Sequence, residues 1–164
     1  MEKEARALAE RWRADVERAA CAGLLHDCAK GLPLRRMQEL ALAGGLRLDK
    51  ATWDSRALMH APVGAYLARR DYGVDDPEVL DAIRWHTTGR PGMGALEQII
   101  YLADVIEPGR EPFEALPAIR AAVWESLDRA MLLALRDSVA YVQRGRGPLH
   151  PDTLAALHWF EKRQ

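Results

Sequence analysis

The stretch Cys21-Ala22-Gly23-Leu24-Leu25-His26-Asp27-Cys28-Ala29-Lys30 runs an apolar segment, fit for a buried helix, straight into a histidine, an aspartate and then a lysine. A neutral imidazole and a carboxylate are good ligands for a divalent transition metal. Neighbours on a helix point about 100° apart, so the pair serves two metals, or the carboxylate bridges them. A helix terminus with a cap-like aspartate and a dipole-stabilised histidine explains the dipeptide as well. The remaining chain must therefore supply partners before a site can be argued.

Working outward, helical spacing recurs almost everywhere and β-branched alternation is scarce, so the fold class is all-α. Residues 2 to about 25 read as one helix. Pro33 opens a second, which carries Leu34, Met37, Leu40 and Ala41 and stops at Gly44-Gly45. A short helix or loop covers Asp49 to Ser55. Pro62 reads as an early helical position, which puts His60 at or just before a helix start; that helix runs to about Tyr72 and Gly73. Asp76-Pro77-Glu78 restarts the chain as N-cap, N1 proline and first-turn acid, and Val79, Leu80, Ile83 and His86 then share a face. Residues 94 to 107 form the most buried-looking helix, with Leu96, Ile99, Ile100, Ala103 and Ile106 as its stripe. One long helix is expected from about Pro117 to Arg144, a break at Gly145-Arg146-Gly147-Pro148, and a last short helix after His150-Pro151-Asp152-Thr153.

The 164 residues suit one domain spanning 1–164, and 49% hydrophobic content is enough for a core. A net charge of -1 excludes a nucleic-acid-binding polycation or an acidic tail. No apolar run approaches the ~20 residues needed to span a bilayer, and the charged opening Met1-Glu2-Lys3-Glu4 has no apolar stretch of a signal peptide behind it. Cys21 and Cys28 fit neither a zinc motif nor a disulfide framework, so reduced thiols in a cytoplasmic protein are expected. Lysine occurs only at positions 3, 30, 50 and 162, which sharpens the interest of Lys30 beside the His-Asp pair. The five tryptophans serve base stacking, a homodimer seam or, by default, core packing.

His26, Asp27, His60, His86 and Asp104 fall on four expected helices, each at a helix end or within an apolar face. Asp104 lies among Ile100, Tyr101, Leu102, Ala103, Val105 and Ile106, where an unpartnered buried carboxylate would cost several kcal/mol or take up a proton. Facing helices of a bundle are where metal sites are built. A set of imidazoles and carboxylates without thiolates suits iron, manganese or another borderline metal, which activates water and neutralises phosphate oxygens. Lys30, Thr87, Thr88, Arg90 and Arg110 supply phosphate-directed donors around it. His150 and His158 are assigned to structure or surface, and Cys28 to helix packing.

The order His-Asp, His, His, Asp resembles the HD-domain metal-dependent phosphohydrolases. Residues 23–30, His60-Ala61-Pro62-Val63-Gly64-Ala65, Ile83-Arg84-Trp85-His86-Thr87-Thr88-Gly89, 101–110 and the tail His150-Pro151-Asp152-Thr153-Leu154 are similar, more narrowly, to the YqeK family. That resemblance implies an HD-domain helical bundle with a dinuclear centre, usually iron, held by His26, Asp27, His60, His86 and Asp104, with Asp27 bridging. It implies symmetrical hydrolysis of diadenosine tetraphosphate and related dinucleoside polyphosphates to two nucleoside diphosphates. Attack by metal-activated water is in line on a central phosphorus, with Asp27 and Lys30 as the catalytic pair. Lys30, Thr87, Thr88 and Arg110 contact phosphate or shape the pocket. The family carries a further ligand histidine in its first helix, ahead of the segment matching Leu8-Ala9-Glu10-Arg11, whereas no histidine precedes His26 here. An upstream extension carrying that histidine is the expected explanation; a nucleotide-binding module without turnover, or an HD hydrolase of another phosphoester, are the competing expectations.

Overall fold

The computed structural model describes residues 1–146, Arg146 by its backbone alone, and 149–163. Among them there is no β-strand, and the fold is the all-α one expected. The expected first helix is two. α1 (Glu2–Trp12) ends with Arg13 in the left-handed region at φ 55°, and α2 (Val16–Leu25) starts afresh because Asp15 Oδ1 accepts from Arg18 N. The chain thereby folds back on itself. Gly23 makes the close approach possible, since a Cβ there would lie 3.1 Å from Ala5 Cβ and 3.2 Å from Glu2 Cα.

α3 (Leu34–Ala43) starts one residue after Pro33 and closes at Gly44 and Gly45, the latter at φ 63°. α4 (Lys50–Trp53) is a single turn capped by Asp49. α5 (Arg56–Tyr72) corrects the reading of Pro62. Ser55 is the cap, its hydroxyl accepting from Leu58 N, so the helix begins well before the proline and His60 lies inside it. Pro62 leaves the rung it would have made with Leu58 unformed. α6 (Pro77–Trp85) begins on the Asp76-Pro77-Glu78 signal, with Asp76 Oδ1 accepting from Glu78 N.

α7 (Ala95–Ile106) is buried on nearly every side and forms the axis of the main core, where α1, α2, α6 and α9 meet it. The long helix expected from Pro117 is also two, α8 (Leu116–Ala122) and α9 (Leu127–Tyr141). Between them the carbonyls of Val123 and Trp124 leave the helical ladder and accept from Trp12 Nε1 at 2.9 Å and Arg11 Nη2 at 2.7 Å. Ser126 then caps the restart through Arg129 N. A wide turn at Val142–Arg146 holds Gly145 at φ 79°; the rest of the expected break, Gly147 and Pro148, lies outside the described residues. α10 (Pro151–Glu161) closes the chain, capped by His150. A second apolar cluster, Met37, Leu40, Met59, Val63 and Leu67 among it, joins α3 to α5.

Candidate metal centre

His26 and His86 occupy the same kind of position. Each is the residue just past a helix, α2 and α6, where the last carbonyls lack backbone donors. Each ring turns back onto the carbonyl three residues earlier: His26 Nδ1 lies 2.9 Å from Gly23 O, and His86 Nδ1 lies 2.7 Å from Ile83 O. A carbonyl only accepts, so Nδ1 carries the proton and Nε2 of the neutral ring presents a lone pair. This fixing of tautomer and orientation is what metal-ligating histidines require. The sequence reading did not name these two carbonyls. Their only trace in the sequence is a histidine directly after each apolar helical run.

The three Nε2 atoms converge. His26 Nε2 is 3.2 Å from Asp27 Oδ2 and 3.7 Å from Asp104 Oδ1. His60 Nε2, from inside α5, is 3.1 Å from Asp27 Oδ1 and 3.1 Å from His86 Nε2. His86 Nε2 is 3.6 Å from the same Asp27 oxygen. All three histidines are buried, and His26, Asp27 and His86 offer ligand atoms within 4.8 Å of one another. Asp104 comes from the end of α7, its carboxylate held by Arg110 Nη2 at 2.8 Å. The five residues singled out for metal binding are thus brought to one place by α2, α5, α6 and α7.

Two cations stand beside the carboxylates. Lys30 Nζ is 2.7 Å from Asp27 Oδ2, with more than half of its side chain exposed. Arg110 Nη2 also donates to the main-chain oxygen of Asp104. Thr87 and Thr88 follow His86 and line an adjacent cleft rather than the cluster itself. Arg90 is engaged elsewhere, on Glu97 at 2.6 Å and Asp81 at 3.2 Å. His150 is the structural residue expected, buried against Thr52 and Asp49.

Burial and mutual attraction set the ionisation of the cluster. Burial opposes ionisation of Asp27, but the imidazoles of His26, His60 and His86 and the Lys30 ammonium overrule it and hold the carboxyl far below its usual range. Burial likewise works against Asp104, yet His26 and Arg110 bring it down to about 2. His26 is disfavoured as a cation by burial, but Asp104 and Asp27 lift it to about 9. Burial pushes His86 down, toward a neutral ring. Asp27 Oδ1 and His60 Nδ1 are buried without a hydrogen bond among the described residues. Two imidazole nitrogens oriented by carbonyls, a third from His60, two ionised carboxylates and an unsatisfied carboxylate oxygen fit one or two divalent metals of the borderline class.

This fold and this cluster define an HD-domain protein. A family model described as the HD domain matches residues 1–109, and the chain belongs to that family. It is 38% identical over 152 residues to the symmetrical bis(5'-nucleosyl)-tetraphosphatase of Bacillus subtilis (strain 168), a match covering 93% of this chain and 81% of that one. It is 38% identical over 151 residues to the protein of the same description from Halalkalibacterium halodurans, covering 92% and 80%. Among solved structures, an HD superfamily hydrolase from Clostridium acetobutylicum, described as involved in NAD metabolism, superposes with a TM-score of 0.94. It shares 40% identity and covers 99% of this chain and 86% of its own. These relatives carry the YqeK type that the motifs resemble.

Proposed function

We propose that the protein is a metal-dependent hydrolase that cleaves dinucleoside polyphosphates, diadenosine tetraphosphate foremost, symmetrically into two nucleoside diphosphates. The observation that carries this reading is the convergence of three histidine Nε2 atoms on Asp27 and Asp104, in a chain whose full-length relatives are named for that reaction. His26, Asp27, His60, His86 and Asp104 would hold the metal, with Asp27 as the shared ligand were two ions bound; iron is our first choice and manganese the second. When bound, such a centre supplies Lewis acidity at a phosphoryl oxygen and lowers the pKa of water to near neutrality.

The chain's own residues do the rest. Lys30 reaches out from Asp27 at the exposed side of the cluster, where its ammonium can meet a phosphoryl oxygen as charge gathers there. Arg110 holds Asp104 in place and shares the positive field. The bond broken joins the second and third phosphates. Water gives its hydroxyl to one of these two phosphorus atoms; the bridging oxygen leaves that same atom, stays with the other and takes up the proton, so each product is a diphosphate. Residues 1–164 act together as one such domain. Its setting is the cytoplasm, on the strength of the free thiols Cys21 and Cys28, and no helix among the described residues is long and apolar enough to cross a membrane.

The test is product analysis. Protein loaded with iron or manganese and given diadenosine tetraphosphate is expected to release ADP as its sole nucleotide product. Release of AMP with ATP, or of free phosphate from nucleoside monophosphates alone, would replace this reading with another phosphoester hydrolase. No release at all would leave a binding module.

A further inference from the structure

α5 meets the turn between α2 and α3 along a single row. Arg56, His60 and Gly64 are spaced four apart and so share one face of the helix. Each takes a different part of the turn. His60 Nε2 lies 3.1 Å from Asp27 Oδ1. Gly64 O accepts from Cys28 Sγ at 3.4 Å. Arg56 donates through Nη2 to Lys30 O at 2.6 Å and through Nε to Leu32 O at 3.0 Å. The helix that supplies a proposed metal ligand therefore also grips the main chain at Lys30 and just beyond it.

The turn has little else to hold it. Its own backbone bonds are short-range ones, Cys28 N to Leu25 O, Lys30 N to Asp27 O and Leu32 N to Ala29 O, and Pro33 has no N–H to add. No backbone N–H among the described residues reaches Lys30 O or Leu32 O. Two bonds from one planar guanidinium fix a position and an angle together, which a single donor does not. The Lys30 side chain is long, more than half exposed and tied to Asp27 at its tip, so the place of its ammonium depends on where its backbone is held.

Arg56 also stands against the preference of its own helix. It is the first residue of α5, directly after the Ser55 cap, and a cation there opposes the macrodipole. No carboxylate among the described residues lies within ion-pair distance of it. An exposed arginine that offends its helix and pairs with no acid is accounted for by the two carbonyls it holds.

Accepting the reading of Lys30 as the cation that meets the phosphoryl oxygen, we propose that Arg56 is a positioning residue for it. Arg56 clamps the turn onto α5, so that the Lys30 ammonium keeps its place beside Asp27, and does so without touching substrate.

The experiment compares the full chain with Arg56→Ala, Arg56→Lys, Lys30→Ala and the double variant R56A/K30A, each loaded with manganese and given diadenosine tetraphosphate. Arg56→Ala is expected to keep its metal within a factor of about two and its KM, and to lose roughly tenfold in kcat, the scale of a donor displaced rather than removed. Arg56→Lys, with a point donor in place of the fork, should recover part of that loss. In the Lys30→Ala background the same truncation should cost less than about twofold, because its effect passes through Lys30. Full kcat in Arg56→Ala, a loss that simply adds to that of Lys30→Ala, or a metal loss as large as the loss in kcat would overturn the proposal. A second measurement needs no turnover. The chain has lysine only at positions 3, 30, 50 and 162, so NMR of protein labelled at the lysine side chains gives few signals, and Lys30→Ala identifies the one wanted. In Arg56→Ala the Lys30 signal should shift and narrow as the ammonium leaves Asp27, with those of Lys3 and Lys162 unmoved. If the wild-type protein releases no ADP from diadenosine tetraphosphate, the hydrolase reading fails by itself. Arg56 is then judged on this signal: a shifted one upholds the clamp, and an unchanged one refutes it.

Discussion

His60 and His86 point their Nε2 atoms at each other across 3.1 Å. His86 already spends its Nδ1 proton on Ile83 O, so as a neutral ring it has only a lone pair to offer His60. Asp27 Oδ1 stands 3.1 Å and 3.6 Å from the same two nitrogens. Asp27 Oδ1 and His86 Nε2 can only accept, and the one proton that His60 Nε2 can bring serves just one of them, in a site where burial keeps His86 from taking a proton of its own. A cation resolves that arrangement better than a proton does.

The first prediction follows. Removing a group that merely orients a ligating histidine costs 10–100-fold in metal affinity as a rule, so removing the ligand itself should cost at least about 100-fold. His86→Ala, dialysed against micromolar iron or manganese and analysed by elemental mass spectrometry, is expected to retain well under half of the wild-type metal. Wild-type stoichiometry in that variant would strip His86 of its role.

Lys30 should behave differently. It touches Asp27 from the solvent side and offers no lone pair while charged. Lys30→Ala is expected to keep metal content within a factor of about two and to lose about 100-fold in kcat, the scale seen when one preorganised donor to developing charge is removed. Metal analysis and turnover on the same sample separate the two effects. An unaltered kcat would return Lys30 to the surface.

The cluster was legible before the fold was, for a physical reason. Ligand chemistry is written in residue identity, and His26, Asp27, His60, His86 and Asp104 stood out wherever their helices began or ended. Helix boundaries depended on weaker cues. Nothing between residues 2 and 22 is glycine or proline, so the break at Arg13 to Asp15 rested on one aspartate that could equally have sat on a helix surface. The break at Val123 to Ser126 depends on carbonyls claimed by Arg11 and Trp12 over a hundred residues away, which no local pattern reports. Pro62 misled because proline commonly opens helices, whereas Ser55 had already done so. His150 lay within a quoted motif, but its partners Asp49 and Thr52 stand about a hundred residues away, and no local pattern reports that pairing.

Asp49 gives a pH dependence outside the metal cluster. Burial opposes its charge, but Thr52 N and the His150 ring overrule that and hold its carboxyl below the usual range. A depressed folded pKa adds stability that is present above the unfolded value, near 3.9, and lost as pH falls through the folded one. Asparagine caps a helix about as well as aspartate, so Asp49→Asn isolates the charge. The side chain is about half exposed, and solvent screening limits the expected loss to about 0.5–1 kcal/mol at pH 7. Urea midpoints at pH 7, 4 and 3 should show the gap between variant and wild type closing below about pH 4. A gap that stays constant would assign the effect to shape.

Two mid-helix glycines should respond with opposite signs to the same change. Replacing glycine by alanine inside a helix is worth roughly 0.5–1 kcal/mol where there is room. At Gly64 a Cβ would meet His26 O at 3.4 Å, Cys28 Sγ and Ile83 Cγ2 at 3.6 Å, all ordinary contacts. Gly64→Ala is therefore expected to stabilise. At Gly23 the same atom would press on Ala5 Cβ at 3.1 Å and Glu2 Cα at 3.2 Å. Neither neighbour can swing aside by changing a rotamer, so α1 must lift off α2, and overpacking of this kind costs about 1–3 kcal/mol. The net for Gly23→Ala is a loss of about 1 kcal/mol. Because Gly23 O also holds His26 Nδ1, the variant should bind metal more weakly as well, whereas Gly64→Ala should not. Thermal unfolding paired with metal titration reads both effects, and a stabilised Gly23→Ala would show that α1 yields without resistance.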